Sequence, residues 1–423
     1  MSDVLIIGGG LAGTAAALGL ADRGWRTTIV EAQSRLGGRA HSRVWGENPA
    51  PVEYGGGWVR KDHDRMIALA ARLGVDFVPR AEFAGQRWFR DGRSCDAPAQ
   101  DMGLHEAGMA RIRADAALVA QGGPEAQRLA GMTATDYLDD RALPVSVRRE
   151  FLAWWAISGS GDPARIGVCE LLTPKLAQGM LVKLDELAMT VDGGVARLVQ
   201  MAAKASGARL MTGDAVERLE DLGTGVRVRL VSGTVLAARA AVVAVPVNTL
   251  AQIRFQPPLP PAAAALRAQG HLGRALKLLI RARGVTPGLL ATGETAGPRW
   301  FYADHLQADG ATLIVGFGLF DEAGEPGEAQ VRAAVTAAFP GAEMLGFDWH
   351  DWANDPFARG TWVSPALATV QHYDPVEWIA NPRMVFAGSD HASAEQGWFE
   401  GALLSAEAAV AALHRHLAQG GPA

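Results

Sequence analysis

Three glycines near the start of the chain have the spacing of a dinucleotide-binding turn. Gly8, Gly10 and Gly13 follow the apolar run 4–7 and open an Ala- and Leu-rich segment, and Glu31 closes the next apolar run. In such a unit the first glycine permits the tight turn, the second lets the backbone approach a pyrophosphate, and the third allows close packing of helix on strand. Glu31 would accept hydrogen bonds from ribose hydroxyls. The strand, turn, helix and second strand together predict a bound dinucleotide.

The second feature that could carry chemistry is a charged residue, Lys277, within an apolar run. Lys277 lies between Leu276 and Leu278 in a run that predicts a buried strand. A buried ammonium group is costly unless it is paired or hydrated. Lys277 is therefore either a functional side chain beside a partner or water, or an edge-strand residue that points to solvent.

Composition excludes several classes of protein. The 423 residues carry a formal net charge of −5 without a basic run, which argues against a nucleic-acid partner. The two cysteines, Cys95 and Cys169, lie far apart, so neither a disulfide framework nor a metal site is expected. We expect a cytoplasmic protein, because no targeting segment precedes residue 4 and no apolar stretch reaches the roughly 18 residues of a membrane span.

The elements that must position these residues follow from periodicity. Residues 4–7 and 27–30 read as strands around a helix that ends near Gly24, and 60–190 reads as mostly helical, for example at 66–73 and 151–157. Strand patterns return at 226–230, 240–245, 276–280, 312–317 and 384–386, and the last of these leads through Gly388 into a long helix.

A loop just after Glu31 favours FAD over NAD. The run Arg35-Leu36-Gly37-Gly38-Arg39 resembles the loop that flavoproteins of the two-dinucleotide-binding type place against the FAD phosphates. An arginine there adds charge-assisted hydrogen bonds to the pyrophosphate. Arg39 is the predicted phosphate contact.

Further blocks along most of the chain resemble the flavin-containing amine oxidase family. They are Glu53-Tyr54-Gly55-Gly56-Gly57-Trp58-Val59, Asp192-Gly193-Gly194-Val195-Ala196-Arg197-Leu198, Gly213-Asp214-Ala215-Val216, Val242-Val243-Ala244-Val245-Pro246, Gly273-Arg274-Ala275-Leu276-Lys277-Leu278-Leu279-Ile280, the block 352–362 from Trp352 to Trp362, Phe386-Ala387-Gly388-Ser389-Asp390 and Gly397-Trp398-Phe399-Glu400-Gly401-Ala402.

The resemblance implies roles for particular residues. Lys277 would hold a water against flavin N5, and Trp362 and Trp398 would form an aromatic cage that flanks the path of the amine. Besides the residues already named, the predicted FAD contacts are Ala12, Gly55, Gly56, Gly57, Trp58, Val216, Trp352, Phe357, Gly388, Ser389, Asp390, Gly397, Trp398, Phe399 and Ala402.

Departures from the family pattern narrow these expectations. Thr361 precedes the cage aromatic where members with covalent flavin have cysteine, so we expect noncovalent FAD. Both cage positions are Trp rather than Tyr, Asp390 replaces the more usual Glu, and the hydrophobic C-terminal tail of membrane-bound relatives is missing. The expected enzyme is therefore not bound to a membrane.

The resemblance implies an α/β fold with an inserted α+β substrate domain that contains a mixed sheet and helices. We expect an FAD domain from residues 1–78, 191–267 and 358–423, and a substrate domain from 79–190 and 268–357. The implied reaction is oxidation of a primary or secondary amine to an imine, which water hydrolyses to an aldehyde or ketone, with O₂ reduced to H₂O₂. The substrate, the electron acceptor and the oligomeric state, a homodimer included, stay open.

Three other functions compete with this interpretation. An L-amino-acid oxidase needs a basic residue for the substrate carboxylate, and Arg60 lies one residue past the position that would align, so we expect it to point elsewhere. A desaturase of the carotenoid or porphyrinogen type would share the FAD domain, but Lys277 and the paired tryptophans speak against it. The same residues disfavour a flavin-binding module without turnover.

Overall fold

The computed structural model describes residues 2–46, 50–179, 188–293, 297–320, 324–370, 378 and 381–419. The strands are β1 (Val4–Ile7), β2 (Thr27–Glu31), β3 (Ser42–Val44), β4 (Pro51–Glu53), β5 (Phe77–Pro79), β6 (Gly85–Arg90), β7 (Arg93–Cys95), β8 (Met189–Val191), β9 (Arg209–Thr212), β10 (Val216–Asp221), β11 (Val226–Leu230), β12 (Val235–Ala238), β13 (Ala240–Val243), β14 (Arg254–Gln256), β15 (Ala275–Arg283), β16 (Leu289–Gly293), β17 (Trp300–Leu306), β18 (Thr312–Leu319), β19 (Glu343–Trp349) and β20 (Met384–Phe386). The α-helices are α1 (Leu11–Ala21), α2 (Asp64–Leu73), α3 (Met102–Gln121), α4 (Pro124–Leu129), α5 (Ala134–Asp140), α6 (Val145–Ser158), α7 (Val168–Leu171), α8 (Val195–Ala205), α9 (Pro261–Gln269), α10 (Glu328–Ala338) and α11 (Phe399–Gln419). Short 3₁₀ turns span Leu176–Gln178, Val247–Gln252 and Ser389–His391.

A parallel sheet carries the predicted dinucleotide unit. Its strand order is β20-β13-β1-β2-β9, so the first strand in sequence lies in the middle. All four residues of β1 are buried, as expected for a strand covered on both faces. The strand order reverses beside β1, and the carboxyl ends of the strands at such a switch point form the usual ligand crevice of an open α/β sheet.

The boundaries of this unit agree closely with the sequence prediction. Helix α1 ends at Ala21, and Gly24 takes a left-handed φ of 80° that leads the chain into β2. The apolar faces of α1, α8 and α11 pack together with β1 in one core. The N-terminus of α1 is thereby fixed at the carboxyl end of β1.

A second, mixed sheet is built from β19, β15, β18, β17, β16, β6 and β7 in that order. Its strands pair antiparallel except for β16 with β6, which are parallel. Helix α10 packs on one face, while the core on the other face includes Trp155 of α6. The α/β class and the mixed sheet backed by helices, both expected from the sequence, are confirmed.

The sequence interpretation of 60–190 as mostly helical was wrong at residues 77–95. Strands β5, β6 and β7 lie there, and β6 and β7 complete the edge of the mixed sheet. Strand β6 pairs with β16, some 200 residues further along the chain, and such nonlocal pairing is invisible to local periodicity. Every strand of the mixed sheet comes from the segments predicted for the substrate domain, although the domain limits themselves stay a prediction.

Within the described ranges, none of the helices is both long and apolar enough to cross a bilayer.

Candidate active site

A cavity of about 680 Å³ joins the turn after β1 to the mixed sheet. At one end it is lined by Gly8, Gly10, Glu31 and Val216, and at the other by Lys277, Trp362 and Trp398. The cavity thus connects the predicted nucleotide end to the predicted chemical end. It lies between the two sheets, a position that binding pockets favour.

The turn after β1 offers an anion-binding backbone. Helix α1 begins after Gly10 without a side-chain cap, so its first N–H groups face the cavity end without a side-chain partner. A Cβ at Gly10 would meet only the Gly37 carbonyl oxygen, at 3.7 Å, whereas a Cβ at Gly13 would lie 2.0 Å from the Gly8 carbonyl oxygen. Gly10 therefore leaves open space above the backbone, and Gly13 packs the helix against the strand. This cradle fits a pyrophosphate.

Glu31 is held by the same turn. Its Oε2 accepts the Gly9 N–H at 2.7 Å, and its Oε1 accepts the Gln33 N–H at 2.8 Å. Burial raises the pKa of Glu31, against the lowering effect of these two hydrogen bonds. The carboxylate still lines the cavity, where the sequence predicts that it meets a ribose.

Arg39 bridges distant parts of the chain beside the cavity. Its guanidinium donates to the Thr361 carbonyl oxygen at 2.6 Å, to Ser389 Oγ at 3.2 Å and to Asp390 Oδ1 at 2.7 Å. Asp390 is 1% exposed and also accepts the Val247 N–H at 3.1 Å. Arg39 lines the cavity, and its role as phosphate contact remains a prediction.

The structure brings nearly all the predicted site residues to this one cavity. Those that line it are Gly8, Gly10, Ala12, Glu31, Arg39, Gly55, Gly56, Gly57, Trp58, Val216, Lys277, Trp352, Phe357, Trp362, Gly388, Ser389, Gly397, Trp398, Phe399 and Ala402. Gly13 and Asp390 are the exceptions: Gly13 lies beneath the turn against Gly8, and Asp390 lies behind Arg39. Both can act on a cofactor only through the groups that they position.

Lys277 is buried and faces two main-chain carbonyl groups. Its Nζ donates to the Glu53 oxygen at 2.6 Å and to the Gly55 oxygen at 2.7 Å. A lysine ammonium has three N–H donors, so one more than these two bonds use is available to a water or ligand. Burial lowers the pKa of Lys277 to about 8, although the nearby Glu53 carboxylate opposes this shift. The alternative of an edge-strand lysine in solvent is excluded.

Sheet register explains the aromatic wall around Lys277. Lys277 in β15 pairs with Phe317 in β18, and Phe317 pairs with Trp300 in β17, which puts all three side chains on one face of the sheet. The Trp58 ring centroid lies 5.7 Å from that of Trp300, and the Phe317 centroid lies 6.0 Å from that of Trp362. Trp300 and Phe317 were not predicted as site residues, because strand register cannot be read from sequence alone.

The two predicted cage tryptophans are fixed by different contacts. Trp362 Nε1 donates to the Ser158 carbonyl oxygen at 3.1 Å. The ring of Trp398 meets the His63 ring edge-on at a centroid distance of 5.4 Å. A Cβ at Gly397 would lie 3.1 Å from Trp362 Cβ, so the turn before α11 passes directly against Trp362. Both rings line the cavity.

From the sequence we expected Arg60 to point away from the site. This prediction was wrong, because Arg60 lines the cavity. Its guanidinium is nonetheless engaged by two carboxylates, those of Asp62 and Glu395. Glu395 was not predicted as a site residue, and its position two residues before Gly397 carries no motif signal.

Comparison with known proteins assigns this fold and cavity to a class. A model of the family described as flavin containing amine oxidoreductase matches residues 11–414. The chain is 32% identical to (S)-6-hydroxynicotine oxidase of Paenarthrobacter nicotinovorans over 98% of this chain and 99% of that protein. It is 26% identical to pseudooxynicotine dehydrogenase of a Pseudomonas species, over 95% and 84%.

Solved structures show the same fold. Putrescine oxidase bound to putrescine superposes with a TM-score of 0.84 at 22% identity, covering 98% of this chain and 99% of that one. Cyclohexylamine oxidase from Brevibacterium oxydans gives a TM-score of 0.83 at 24% identity, covering 99% of each. The fold and cavity are therefore those of an FAD-dependent amine oxidoreductase. The chain belongs to the flavin-containing amine oxidoreductase family, as its motifs predicted, and FAD is its cofactor.

A threonine, Thr361, stands at the cavity where a covalent flavin link would need a cysteine, which fits noncovalent binding. Thr361 lies beside the cavity, where its hydroxyl contacts Ser160 Oγ at 2.5 Å. Cys95 and Cys169 are both free, and neither lines the cavity.

Proposed function

We propose that the chain is an oxidase of a monoamine whose nitrogen belongs to, or is attached to, an apolar ring. The supporting observation is the wall of the cavity next to Lys277, where the aromatic side chains of the mixed sheet, Trp300 and Phe317, meet those of Trp58 and Trp362 from loops outside it. Beyond Trp362 the wall continues with apolar side chains of α6, of α7, of the segment that joins them and of the following 3₁₀ turn, namely Trp154, Ile157, Ile166, Leu171 and Leu176. A ring buried there gains about 25 cal/mol per Å² of apolar surface.

When bound, FAD would supply the hydride-accepting chemistry, so that the carbon next to the amine nitrogen loses a hydride and water hydrolyses the resulting imine to a carbonyl compound. The protein's own side chains would position the amine substrate and select which amines bind. Trp362 and Trp398 would flank the amine and exclude water, while their faces favour partial positive charge on nitrogen. Lys277 would hold a water with its remaining N–H. O₂ as acceptor and H₂O₂ as product belong to this proposal.

Oxidation of an amino acid is disfavoured by the charge arrangement. Arg60 is the arginine nearest in sequence to the position that would grip a substrate carboxylate, and it is already paired with Asp62 and Glu395. A substrate carboxylate would have to displace one of them from a buried guanidinium. Charge-assisted bidentate pairs of this kind are among the strong hydrogen bonds of proteins.

The test is anaerobic mixing of the purified holoprotein with cyclohexylamine, pyrrolidine, putrescine and L-leucine, with flavin absorbance near 450 nm as the signal. We expect bleaching by the two ring amines, and H₂O₂ when air is admitted. Bleaching by putrescine or L-leucine but by neither ring amine would reject the proposed substrate class. Bleaching without H₂O₂ in air would reject O₂ as the acceptor.

A further inference from the structure

Arg60 is a buried arginine that belongs to the cavity wall without being free to bind a ligand. The residue is 8% exposed. Its Nε and Nη2 donate to Asp62 at 2.7 and 3.0 Å, and its Nη1 and Nη2 donate to Glu395 at 3.1 and 2.8 Å. The guanidinium thus makes a two-pronged contact with each carboxylate, the geometry for which arginine is best suited.

Glu395 belongs to the turn that delivers Trp398 to the cavity. Its carbonyl oxygen accepts the Trp398 N–H at 3.1 Å, and a Cβ at Gly401 would lie 2.1 Å from the same oxygen. Glu395 itself has a φ of 54°, a left-handed conformation that non-glycine residues adopt only when the surroundings hold them there. The ion pair with Arg60 is one such restraint.

Arg60 also braces the Trp398 ring directly. Its Cζ lies 5.3 Å from the ring centroid, within the range of a cation–π contact. The Arg60 N–H donates to His63 Nδ1 at 3.3 Å, and the His63 ring packs edge-on against the same tryptophan. Arg60 therefore holds Trp398 in two ways, through the turn and through the ring.

Other charges lie near this ring or next to it in the chain. Lys175 Nζ lies 5.6 Å from the Trp398 ring centroid. The Glu400 carboxylate of α11 is turned away, because it accepts the N–H groups of Arg65 and Met66. Arg60 also contacts the turn that carries the ring, through its ion pair with Glu395.

We propose that Arg60 is a positioning residue, which fixes Trp398 through Glu395 and so sets the width of the amine path. This inference rests on the proposed function, because it takes Trp398 as part of the substrate path. Two consequences follow. Loss of Arg60 should weaken amine binding rather than slow the chemical step at saturation, and its effect should disappear when Trp398 is already gone.

The experiment compares Arg60→Met, Arg60→Lys and Glu395→Gln, each in the wild-type and in the Trp398→Ala background, which has no ring at position 398. The substrate is whichever amine bleaches the wild-type flavin. We expect Arg60→Met and Glu395→Gln to raise KM roughly tenfold, with the limiting rate of flavin reduction changed less than about threefold. In the Trp398→Ala background the same changes should raise KM less than twofold further. Arg60→Lys keeps the positive charge but cannot make the two-pronged contacts of a guanidinium, so its KM should lie between those of wild type and Arg60→Met.

Arg65→Met is the matched control, because Arg65 also ties α2 to α11 by ion pairs, with Glu400 and Glu407. It should leave KM within about twofold of wild type. FAD content and the midpoint of thermal unfolding identify variants that fail to fold. Glu395→Gln tests the Arg60–Glu395 ion pair by changing its acidic partner.

Equal increases of KM in both backgrounds would overturn the proposal, since Arg60 would then act independently of Trp398. It would also be overturned if Arg60→Met left amine kinetics intact and abolished only oxidation of L-leucine, which would make Arg60 a carboxylate-binding residue. A wild-type flavin that ring amines do not bleach rejects the proposed substrate class instead, and the comparison then proceeds with the amine that does.

Discussion

The ammonium nitrogen of Lys277 lies 2.6 Å from the main-chain oxygen of Glu53, a residue 224 positions earlier in the chain. The Glu53 side chain is held in turn by Ser42 Oγ at 2.7 Å and by the Val195 N–H at 2.7 Å, at the start of α8. The mixed sheet and the nucleotide-binding segments therefore meet at one lysine. This contact fixes where the remaining N–H of Lys277 can point.

Replacement of Lys277 by Met should slow flavin turnover strongly. The aliphatic side chain fits the buried position but cannot hold a water or donate to the Glu53 and Gly55 oxygens. We expect a decrease of about 100-fold in the rate at saturating amine, the lower range for loss of a positioned proton-transfer group. Stopped-flow absorbance measures both flavin half-reactions. Arg283→Met, at the exposed end of the same strand, is the control, and equal rates in the two variants would contradict the role.

The titration of Lys277 should also be visible in stability. Burial lowers the pKa of its ammonium group to about 8 in the folded protein, from 10.5 as the ordinary value. Between pH 8 and pH 10.5 the unfolded chain thus binds more protons than the folded protein does. The contribution of Lys277 to the free energy of unfolding is therefore fully present above pH 10.5 and is lost as pH falls through about 8. The difference in unfolding free energy between wild type and Lys277→Met should change by on the order of 3 kcal/mol across this window. Denaturant unfolding of the holoprotein at several pH values measures it, and a flat difference would show that Lys277 has an ordinary pKa.

Substitution of two glycines in the first turn should have different effects, one on the stability of the protein and the other on its affinity for FAD. A Cβ at Gly13 would overlap the Gly8 carbonyl oxygen, so Gly13→Ala should destabilise the protein by about 3 kcal/mol. A Cβ at Gly10 meets no atom closer than 3.7 Å, so Gly10→Ala should leave the apoprotein stable. It should weaken FAD binding by about tenfold, because the methyl group occupies the space for the pyrophosphate. Thermal unfolding and FAD titration of the apoprotein distinguish the two, and loss of apoprotein stability in Gly10→Ala would contradict the assignment.

Asp390→Asn should remove the ion pair that holds the Arg39 guanidinium in place beside the cavity. Burial alone would raise the pKa of Asp390, but the Arg39 guanidinium holds it well below its usual range. The carboxylate therefore contributes stability at neutral pH that is lost only as pH falls below 3.8, the ordinary pKa of an aspartate. We expect a loss of about 3 kcal/mol at pH 7 and weaker FAD retention, since one partner of a buried pair is removed. Arg72 is paired with Asp22 on the surface, so Asp22→Asn is a control that should cost less than about 1 kcal/mol.

Trp362→Phe should loosen the cage without removing its aromatic character. The change deletes the hydrogen bond from Nε1 to the Ser158 carbonyl oxygen, worth about 1 kcal/mol. We expect KM for the amine to rise about fivefold, because a ring without this anchor can rotate away from the amine path. Steady-state kinetics measure the effect. In Trp25→Phe, which loses a comparable bond to His414 Nδ1 at 3.2 Å, KM should be unchanged; a similar rise there would point to a general loss of stability.

The sequence by itself determined the nucleotide end of this protein and the family to which it belongs. The unit β1–α1–β2 could be read within about three residues, because its signals are local: an apolar run, three glycines at fixed spacing and a terminal acid. The blocks around Gly56, Lys277, Trp352 and Trp398 likewise carry short patterns whose residue types reflect one cofactor.

Only the tertiary structure decided what surrounds these residues. Lys277 finds its acceptors in a turn more than 220 residues away, and Phe317 and Trp300 reach the site through strand register. Strands β6 and β7 form because a sheet built from residues 275–349 offers them an edge, and Arg60 is withdrawn from ligand binding by Glu395, a residue 335 positions later. Each of these outcomes depends on which distant segments meet, and pairing and burial energies that act between distant segments leave no periodic trace in either segment alone.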